Sequence, residues 1–228
     1  MKNKDFETFR SKRIGLNSEI LFDSIEENCK QEISDIFKTT FPNLTNLITS
    51  ARILNLTNRN ENYRLYSWTN YNDKSFGWLT KIEFLNCRNH LFIEEHDLIL
   101  KTIGGIIETY NDPEPSLSNN QNFLFLESEC KVGIKNWEEY YKESIIDQNI
   151  TEIEYNNLIA FTEEANGNLT LYDIKKKNIL LFAPDHCFEN VTKIFNQPDY
   201  TFYKFNSINS FIDYVETLAL EWIYKIKK

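Results

Sequence analysis

The stretch Leu158–Phe182, LIAFTEEANGNLTLYDIKKKNILLF, defines the architecture of this 228-residue chain. Leu158–Phe161 and Leu169–Asp173 have strand character and flank an Asn-Gly pair, which is among the strongest short signals of a β-hairpin. Lys175–Asn178 predicts a second turn, and Ile179–Ala183 is an apolar run with the length of a buried strand. The pattern therefore predicts three consecutive antiparallel strands, a meander.

A C-terminal amphipathic helix is the clearest element outside the meander. Apolar residues recur at spacings of three and four from Ile208 to Ile226, and Trp222 is one of them. We expect this helix to lie on the sheet with Trp222 in or near the core. The opposite, polar face of the helix holds Asn209, Asp213, Glu216, Glu221 and Lys225.

Upstream of the meander the sequence predicts short helices and further strands. The segment Leu91–Gly105 is typical of a helix that Gly104 and Gly105 end, because glycine takes the left-handed conformation without steric cost. Trp137–Ile146 predicts another helix. Strands are predicted at Tyr63–Trp68, Phe76–Phe84, Ile106–Tyr110, Asn122–Leu126 and Thr201–Phe205.

The N-terminal third predicts a helix followed by a hairpin. Apolar residues at helical spacing, with charged residues between them, extend over Asn17–Phe37. No linker composition interrupts the chain, so we expect a single domain over residues 1–228. Within it, residues 1–82 would form an N-terminal extension and residues 83–228 the core. The expected fold class is α+β, a mostly antiparallel sheet with a central meander packed against helices.

The composition favours a protein partner over nucleic acid. The net charge is −9 and the pI about 5.0. A strongly acidic domain gains nothing by releasing the counterions of a polyanion, so DNA and RNA are disfavoured. A basic protein would be steered toward this chain by the opposite sign of its field. The alternative is that the acidity only keeps the protein soluble.

The sequence predicts a cytoplasmic protein that does not enter membranes. No stretch approaches the ~20 apolar residues that span a bilayer, and the N-terminus MKNKDFETFR lacks the apolar segment of a signal peptide. The four cysteines are scattered and form no CxxC pair, as expected for reduced thiols. The oligomeric state is left open.

Histidine chemistry and metal binding are both weakly supported by the sequence. His96 falls on the apolar face of its helix, which indicates a core residue rather than a base. Cys87, His90 and His96 have the spacing C-x2-H-x5-H, which lacks a fourth ligand and the paired cysteines of a structural zinc site. Asp185 and His186 follow a strand, where functional residues often lie, but no nucleophile motif accompanies them. We therefore predict no catalytic residue, no metal and no cofactor.

Acidic and aromatic residues are concentrated in the loops that follow the predicted strands. If these loops share one face, they form an anionic patch with an aromatic anchor, a composition suited to binding a basic protein. The alternative is a solvated rim that binds nothing. The candidate partner-binding residues are Tyr110, Asp112, Glu114, Glu163, Glu164, Asp185 and Glu189.

Several of these segments resemble the SUKH superfamily. Leu91–Gly105 is similar to its opening helix, which ends in a Gly-Gly pair, although Phe92 stands where proline is usual. Asn166–Asp173 is similar to the central hairpin of the family, and Ile179–His186 to the strand that follows. Asn209–Phe211 with Tyr214 is like its closing helix. The resemblance extends over about Glu83–Trp222, in the right order.

The resemblance implies a non-enzymatic protein-binding module without a cofactor. Members act as immunity proteins that neutralise bacterial polymorphic toxins, often nucleases, and we expect that function here. An alternative is a regulatory scaffold with an endogenous partner, as in the Smi–Knr type regulator of yeast cell-wall synthesis, because a fold does not fix a function. A small hydrolase that uses Asp185 and His186 is a third hypothesis.

Overall fold

A computed structural model describes residues 3–12, 22–27, 31–83, 92–185 and 190–227. Within these ranges the predicted α+β class is confirmed, with a single antiparallel sheet and a C-terminal helix. The helices found there are α1 (Lys4–Lys12), α2 (Asp35–Thr40), α3 (Pro42–Thr49), α4 (Glu94–Thr102), α5 (Glu138–Asp147) and α6 (Phe211–Ile226). The strands are β1 (Ser24–Glu26), β2 (Arg52–Asn58), β3 (Glu61–Thr69), β4 (Ser75–Ile82), β5 (Gly105–Tyr110), β6 (Gln121–Leu124), β7 (Lys131–Val132), β8 (Leu158–Glu164), β9 (Leu169–Asp173), β10 (Ile179–Phe182), β11 (Val191–Lys193) and β12 (Phe202–Phe205).

The twelve strands of the described residues form one sheet in which most sequence neighbours are also spatial neighbours. Their order is β1-β2-β3-β4-β5-β6-β8-β9-β10-β12-β11, and β7 lies off this path beside β8. The predicted hairpin of β3 and β4 joins β5 directly, so the N-terminal strands and the meander share one sheet. Short connections, such as residues 70–74 between β3 and β4, place sequence neighbours side by side in antiparallel pairs.

The predicted meander is confirmed, with a turn of a different type from the one expected. Strands β8, β9 and β10 pair antiparallel in sequence order. Of the Asn166-Gly167 pair, only Gly167 takes a positive φ, at 90°. Its N–H donates to the carbonyl of Glu164 at 2.8 Å. A turn followed by a left-handed glycine is typical of a three-residue hairpin loop, whereas a two-residue loop would need both residues at positive φ.

The predicted glycine stop of α4 is also confirmed. Gly104 has a φ of +79°, and its N–H donates to the carbonyl of Ile99 at 3.2 Å. A Cβ at this position would lie 2.2 Å from the carbonyl oxygen of Lys81, so the neighbouring strand leaves no room for a side chain. Glycine is therefore required here both for its conformation and for the close approach of α4 to β4.

The predicted helix over Asn17–Phe37 is wrong at residues 22–27 and 31–34 and right only at residues 35–37. Ser24–Glu26 forms β1, which pairs with β2 at the edge of the sheet, and the next helix begins at Asp35. Residues 17–21 and 28–30 lie outside the described residues. The apolar spacing combined an edge strand with a separate short helix, and periodicity alone could not separate them.

Helices cover both faces of the sheet. Consecutive residues of a strand point to opposite faces, and Leu65 and Tyr66 on β3 belong to different apolar clusters, as do Leu171 and Tyr172 on β9. One face packs against α2, α3, α4 and α6 in the largest cluster. On the other face, α1 covers the N-terminal strands and α5 the C-terminal strands.

Helix α6 is the principal cover of the larger cluster and confirms the predicted amphipathic helix. Ser210 caps it by accepting a hydrogen bond from the Asp213 N–H at 3.1 Å, and the Asp213 carboxylate accepts in return from the Ser210 N–H at 3.0 Å. This reciprocal capping box satisfies donors that the first turn of a helix leaves free. Neither α6 nor any other helix in the described part of the chain is long and apolar enough to cross a membrane.

Three tryptophans join α6 to the sheet. The ring centroids of Trp68 and Trp78, on β3 and β4, are 5.2 Å apart, and the Trp222 ring lies 5.7 Å and 5.2 Å from them. Trp68 donates its indole N–H to the carbonyl of Leu47, and Trp222 donates to Ser118 Oγ. The cluster therefore links α3, α6, the sheet and the β5–β6 loop at a single point.

His96 is a core residue, as its position on the apolar face of α4 predicted. Its side chain has no solvent exposure. Nε2 lies 2.9 Å from the carbonyl oxygen of Phe125, so it must carry the proton, and Nδ1 then accepts from Tyr172 Oη at 3.1 Å. Burial lowers the pKa of His96 to about 4, because the charged imidazolium loses its hydration.

Replacing Trp222 tests the contribution of the tryptophan cluster to stability. We expect Trp222→Ala to lower the free energy of unfolding by about 3–5 kcal/mol, the range for removing a large buried aromatic side chain. Tyr224→Ala on the same helix is the matched control, because Tyr224 is 65% exposed and should change stability by less than about 0.5 kcal/mol. Chemical denaturation measures both; equal losses would contradict the assigned role of the cluster.

The buried neutral His96 predicts a pH dependence of stability. In the folded protein the pKa of His96 is about 4, below the ordinary value of 6.5 that applies to the unfolded chain. As the pH falls, the unfolded chain therefore takes up the proton first. The wild type should therefore lose about 3 kcal/mol relative to His96→Gln between pH 7 and pH 4. The difference between the two unfolding free energies measures this effect, and a difference independent of pH would refute it.

Candidate functional site

Three connecting segments meet at one end of the sheet, called here the loop end, which comprises residues 111–120, 165–168 and 183–185. The strand register brings them together, since Gln121 pairs with Glu164 and Leu169 pairs with Phe182. The strands that carry the three segments are therefore neighbours at this end. The loops that the sequence predicted to form a binding surface lie close together.

Two of the predicted partner-binding residues are buried. Tyr110 is 3% exposed within the cluster beneath α1, and its hydroxyl donates to Ser67 Oγ at 3.1 Å. Burial raises the pKa of Tyr110 to about 12. Glu164 is 6% exposed and accepts from Asn168 Nδ2 at 3.2 Å. Tyr110 therefore lies in the core, whereas Glu164 faces the cavity described below.

Glu163 lies on the opposite face of the sheet from Glu164. Its carboxylate accepts a hydrogen bond from the ammonium of Lys135, which is also 4.9 Å from the centroid of the Phe123 ring. Consecutive strand residues point to opposite faces, so Glu163 and Glu164 contribute to different surfaces. The charge of Glu163 is compensated locally by Lys135.

The remaining predicted residues lie in the loops themselves. Asp112 is half-buried and accepts from Thr109 Oγ1 at 2.6 Å, and burial raises its pKa. Glu114 and Asp185 are exposed at the loop end. Glu189 lies outside the described residues. The structure therefore places Glu114 and Asp185 at the loop end as exposed carboxylates, with the half-buried Asp112 in the same loop as Glu114. Tyr110 lies in the core, and Glu163 points to the opposite face of the sheet from Glu164.

The β5–β6 loop is bound to α6 by buried polar contacts. Glu221 Oε2 accepts from Ser116 Oγ at 2.8 Å and from the Leu117 N–H at 2.9 Å. Trp222, the residue after Glu221 on α6, donates its indole N–H to Ser118 Oγ at 3.2 Å. Hydrogen bonds to a charged acceptor are about twice as strong as neutral ones. These contacts hold the loop in one position beside the helix.

A cavity of about 240 Å³ lies between this loop, the flank of α6 and the outer strands. It is partly open to the surface and extends from Pro115 in the loop to Asn190 before β11. Its apolar wall consists of Leu117, Leu181, Phe205 and Ile208. Its polar lining includes Gln121, Glu164, Thr170, Tyr214, Thr217 and Glu221.

The cavity is acidic. Glu164 and Glu221 are its two carboxylates, and no lysine, arginine or histidine occurs among the described residues that line it. Burial raises the pKa of Glu221 in spite of the two hydrogen bonds it accepts. Burial also raises the pKa of Tyr214, and the charge of Glu221 raises it further. Gln121 adds a buried Oε1 that has no hydrogen-bond partner.

The ionisable side chains best suited to catalysis lie elsewhere in the described residues. His96 is sealed in the core with both ring nitrogens hydrogen-bonded. Burial raises the pKa of the Cys130 thiol well above its usual range, so the thiolate nucleophile is not formed near neutral pH. Asp185 is exposed, but the His186 and Cys187 that follow it lie outside the described residues.

The residues that the sequence considered for metal binding are described only in part. Among the residues that the structure describes, no group of three or more His, Cys, Asp or Glu side chains could hold a metal ion. Cys87 and His90 are not among those residues.

The sequence did not identify Glu221 as a site residue. It falls on the polar face of α6, where the helical pattern predicts a solvated side chain. The loop that covers it comes from residues about a hundred positions earlier, so no local signal records the contact. The cavity has the same origin, because its walls come from segments distant in sequence.

The comparisons with known proteins add no identification. The chain matches no protein-family profile, no curated protein and no solved structure.

Proposed function

We propose that this chain is a non-enzymatic protein-binding module, an immunity protein of the SUKH type that neutralises a basic toxin domain in the cytoplasm. The observation that carries the proposal is the acidic loop end, which has two exposed carboxylates and, between its β5–β6 loop and α6, a cavity whose described lining has acidic but no basic side chains. The basic partner is proposed to bind there.

Electrostatics supports a basic partner. The chain has 34 acidic and 25 basic residues, and the net charge is −9. Glu114 and Asp185 are exposed at the loop end, and Glu164 and Glu221 lie in the cavity beside them. Fields of opposite sign raise the rate of diffusional encounter and suppress partners of like charge. A toxin that acts on nucleic acid needs a cationic surface, which this end could cover.

The segments that resemble the SUKH superfamily have defined structural roles here. Gly104 ends α4 and permits its close approach to β4. Asp173 accepts hydrogen bonds from the N–H groups of Lys175 and Lys176 at 2.8 and 2.9 Å, which shapes the turn after β9. Ser210 caps α6. Each motif thus has a physical reason, and their shared order supports the proposed relationship without depending on any single one.

The limited access to catalytic groups also favours binding over hydrolysis. A general base must reach the proton that it removes, and His96 is enclosed by the core. A rigid surface needs no such access, because binding depends on shape and charge. The hydrogen bonds that fix the β5–β6 loop reduce the ordering cost of binding.

The proposal predicts tight binding to a basic toxin domain encoded beside this chain's gene. Co-expression should restore growth to cells that produce the toxin domain, and the purified proteins should form a complex. The double variant Glu114→Gln, Asp185→Asn should lower the association rate constant about 3- to 10-fold at low ionic strength, with less effect at high salt.

The matched control is the double variant Glu94→Gln, Glu154→Gln. Both side chains are exposed near the turn after β9, at the opposite end of the sheet: Glu95 pairs with Lys177, and Glu154 accepts from Asn157, whose carbonyl accepts from the Ile174 N–H. The variant removes the same charge, so it should leave the association rate nearly unchanged. Equal effects of the two double variants would contradict the placement of the interface. Failure of the wild type to bind or protect against the neighbouring toxin would contradict the function itself.

A further inference from the structure

The cavity beside α6 has the dimensions of a site for one side chain. Its volume of about 240 Å³ lies just below the range of about 300–1,000 Å³ typical of pockets for drug-sized ligands. It also far exceeds the 10–15 Å³ that one water molecule needs. A compact group with several heavy atoms therefore fits, whereas a nucleotide or a large cofactor does not.

The chemistry of the lining selects a cation with an apolar stem. Leu181, Phe205 and Ile208 offer an apolar wall to methylene groups, as the stems of long basic side chains require. Glu164 and Glu221 offer carboxylate oxygens to the charged head. No basic side chain occurs among the described residues that line the cavity.

A third acceptor favours a head with several donors. Gln121 Oε1 is buried without a hydrogen-bond partner, so this lining residue has an acceptor that remains unsatisfied. An unsatisfied buried acceptor is costly, and a donor that reaches it recovers that free energy. Guanidinium presents five N–H donors in one plane, whereas an ammonium presents three from a single atom. Separate acceptors on different elements therefore suit guanidinium better.

We infer that this cavity binds a guanidinium group on a short aliphatic stem. The inference rests on the proposed function for the origin of that group, which is an arginine side chain of the basic protein partner. The Tyr214 and Phe205 rings, 6.3 Å apart at the cavity, add aromatic surface against which a guanidinium can pack. One arginine of the partner would thus be anchored beside α6, within the proposed interface.

The cavity can be tested on the isolated protein with butylguanidinium as the probe. We expect saturable amide shift changes by NMR at cavity residues such as Thr170, Thr217 and Ile208, with a Kd of about 1 mM. Butylurea has the same shape without the charge and should bind at least about tenfold more weakly. Equal binding of the two probes, or no saturable shifts at the cavity, would overturn the inference.

Variants separate the roles of the carboxylates. Glu164→Gln and Glu221→Gln should each weaken butylguanidinium binding about tenfold, because each removes a charged acceptor. Glu152→Gln, exposed and outside the cavity, is the control and should not change the Kd. Thermal unfolding shows whether each variant folds. Glu221 also holds the β5–β6 loop, so Glu221→Gln can disturb that loop; Glu164→Gln does not remove these contacts and keeps the test valid. Unchanged affinity in a folded Glu164→Gln variant would overturn the assignment.

A last comparison distinguishes a free organic cation from a protein side chain. N-acetyl-arginine-N-methylamide should bind more tightly than butylguanidinium if the cavity receives an arginine from a protein, because its backbone contacts the rim. The reverse order would overturn the assignment to a protein side chain. A toxin that binds Glu164→Gln as tightly as wild type would overturn this inference and leave the proposed function intact. If the probes bind the cavity but the chain binds no toxin, the proposed function is overturned and the guanidinium site remains.

Discussion

The packing of Trp222 between Trp68 and Trp78 is the contact on which the remaining architecture depends. These three rings fix α6 across β3 and β4, and each is at most 2% exposed. Once α6 is placed, the carboxylates on its polar side hold the neighbouring α3 and the β5–β6 loop. Glu216 accepts from the first N–H groups of α3, and Glu221 accepts from the β5–β6 loop. One buried apolar stripe therefore positions both α3 and the β5–β6 loop.

Local patterns predicted the elements whose cause is local. The α6 helix, the glycine stop at Gly104 and the meander followed from residue spacing and turn chemistry, and all were confirmed. The helix predicted over Asn17–Phe37 failed because an apolar spacing of three and four also arises when an edge strand and a short helix are read together. At the described positions Ile25 belongs to a strand and is 38% exposed, not part of a buried stripe.

The candidate site shows a second limit, which concerns contacts between distant segments. The sequence could place the loops that contain Glu114 and Asp185 after strands, and strand pairing brought them to one end. It could not separate Glu163 from Glu164, because their functional difference is the face of the sheet to which each points. Nor could it show that a loop about a hundred residues away covers Glu221. Charge and loop position were predictable, whereas burial depended on tertiary packing.

The acidic cavity fits the proposed binding role better than a role in stability. Burying a carboxylate without a cation costs free energy, and the raised pKa of Glu221 reflects that cost. The two hydrogen bonds that Glu221 accepts explain its contact with the loop, but a neutral glutamine could also accept them. The carboxylates of Glu164 and Glu221 and the unsatisfied Gln121 oxygen belong to residues that line one cavity. A positive group from a basic partner at the loop end would offset the cost of the buried Glu221 charge.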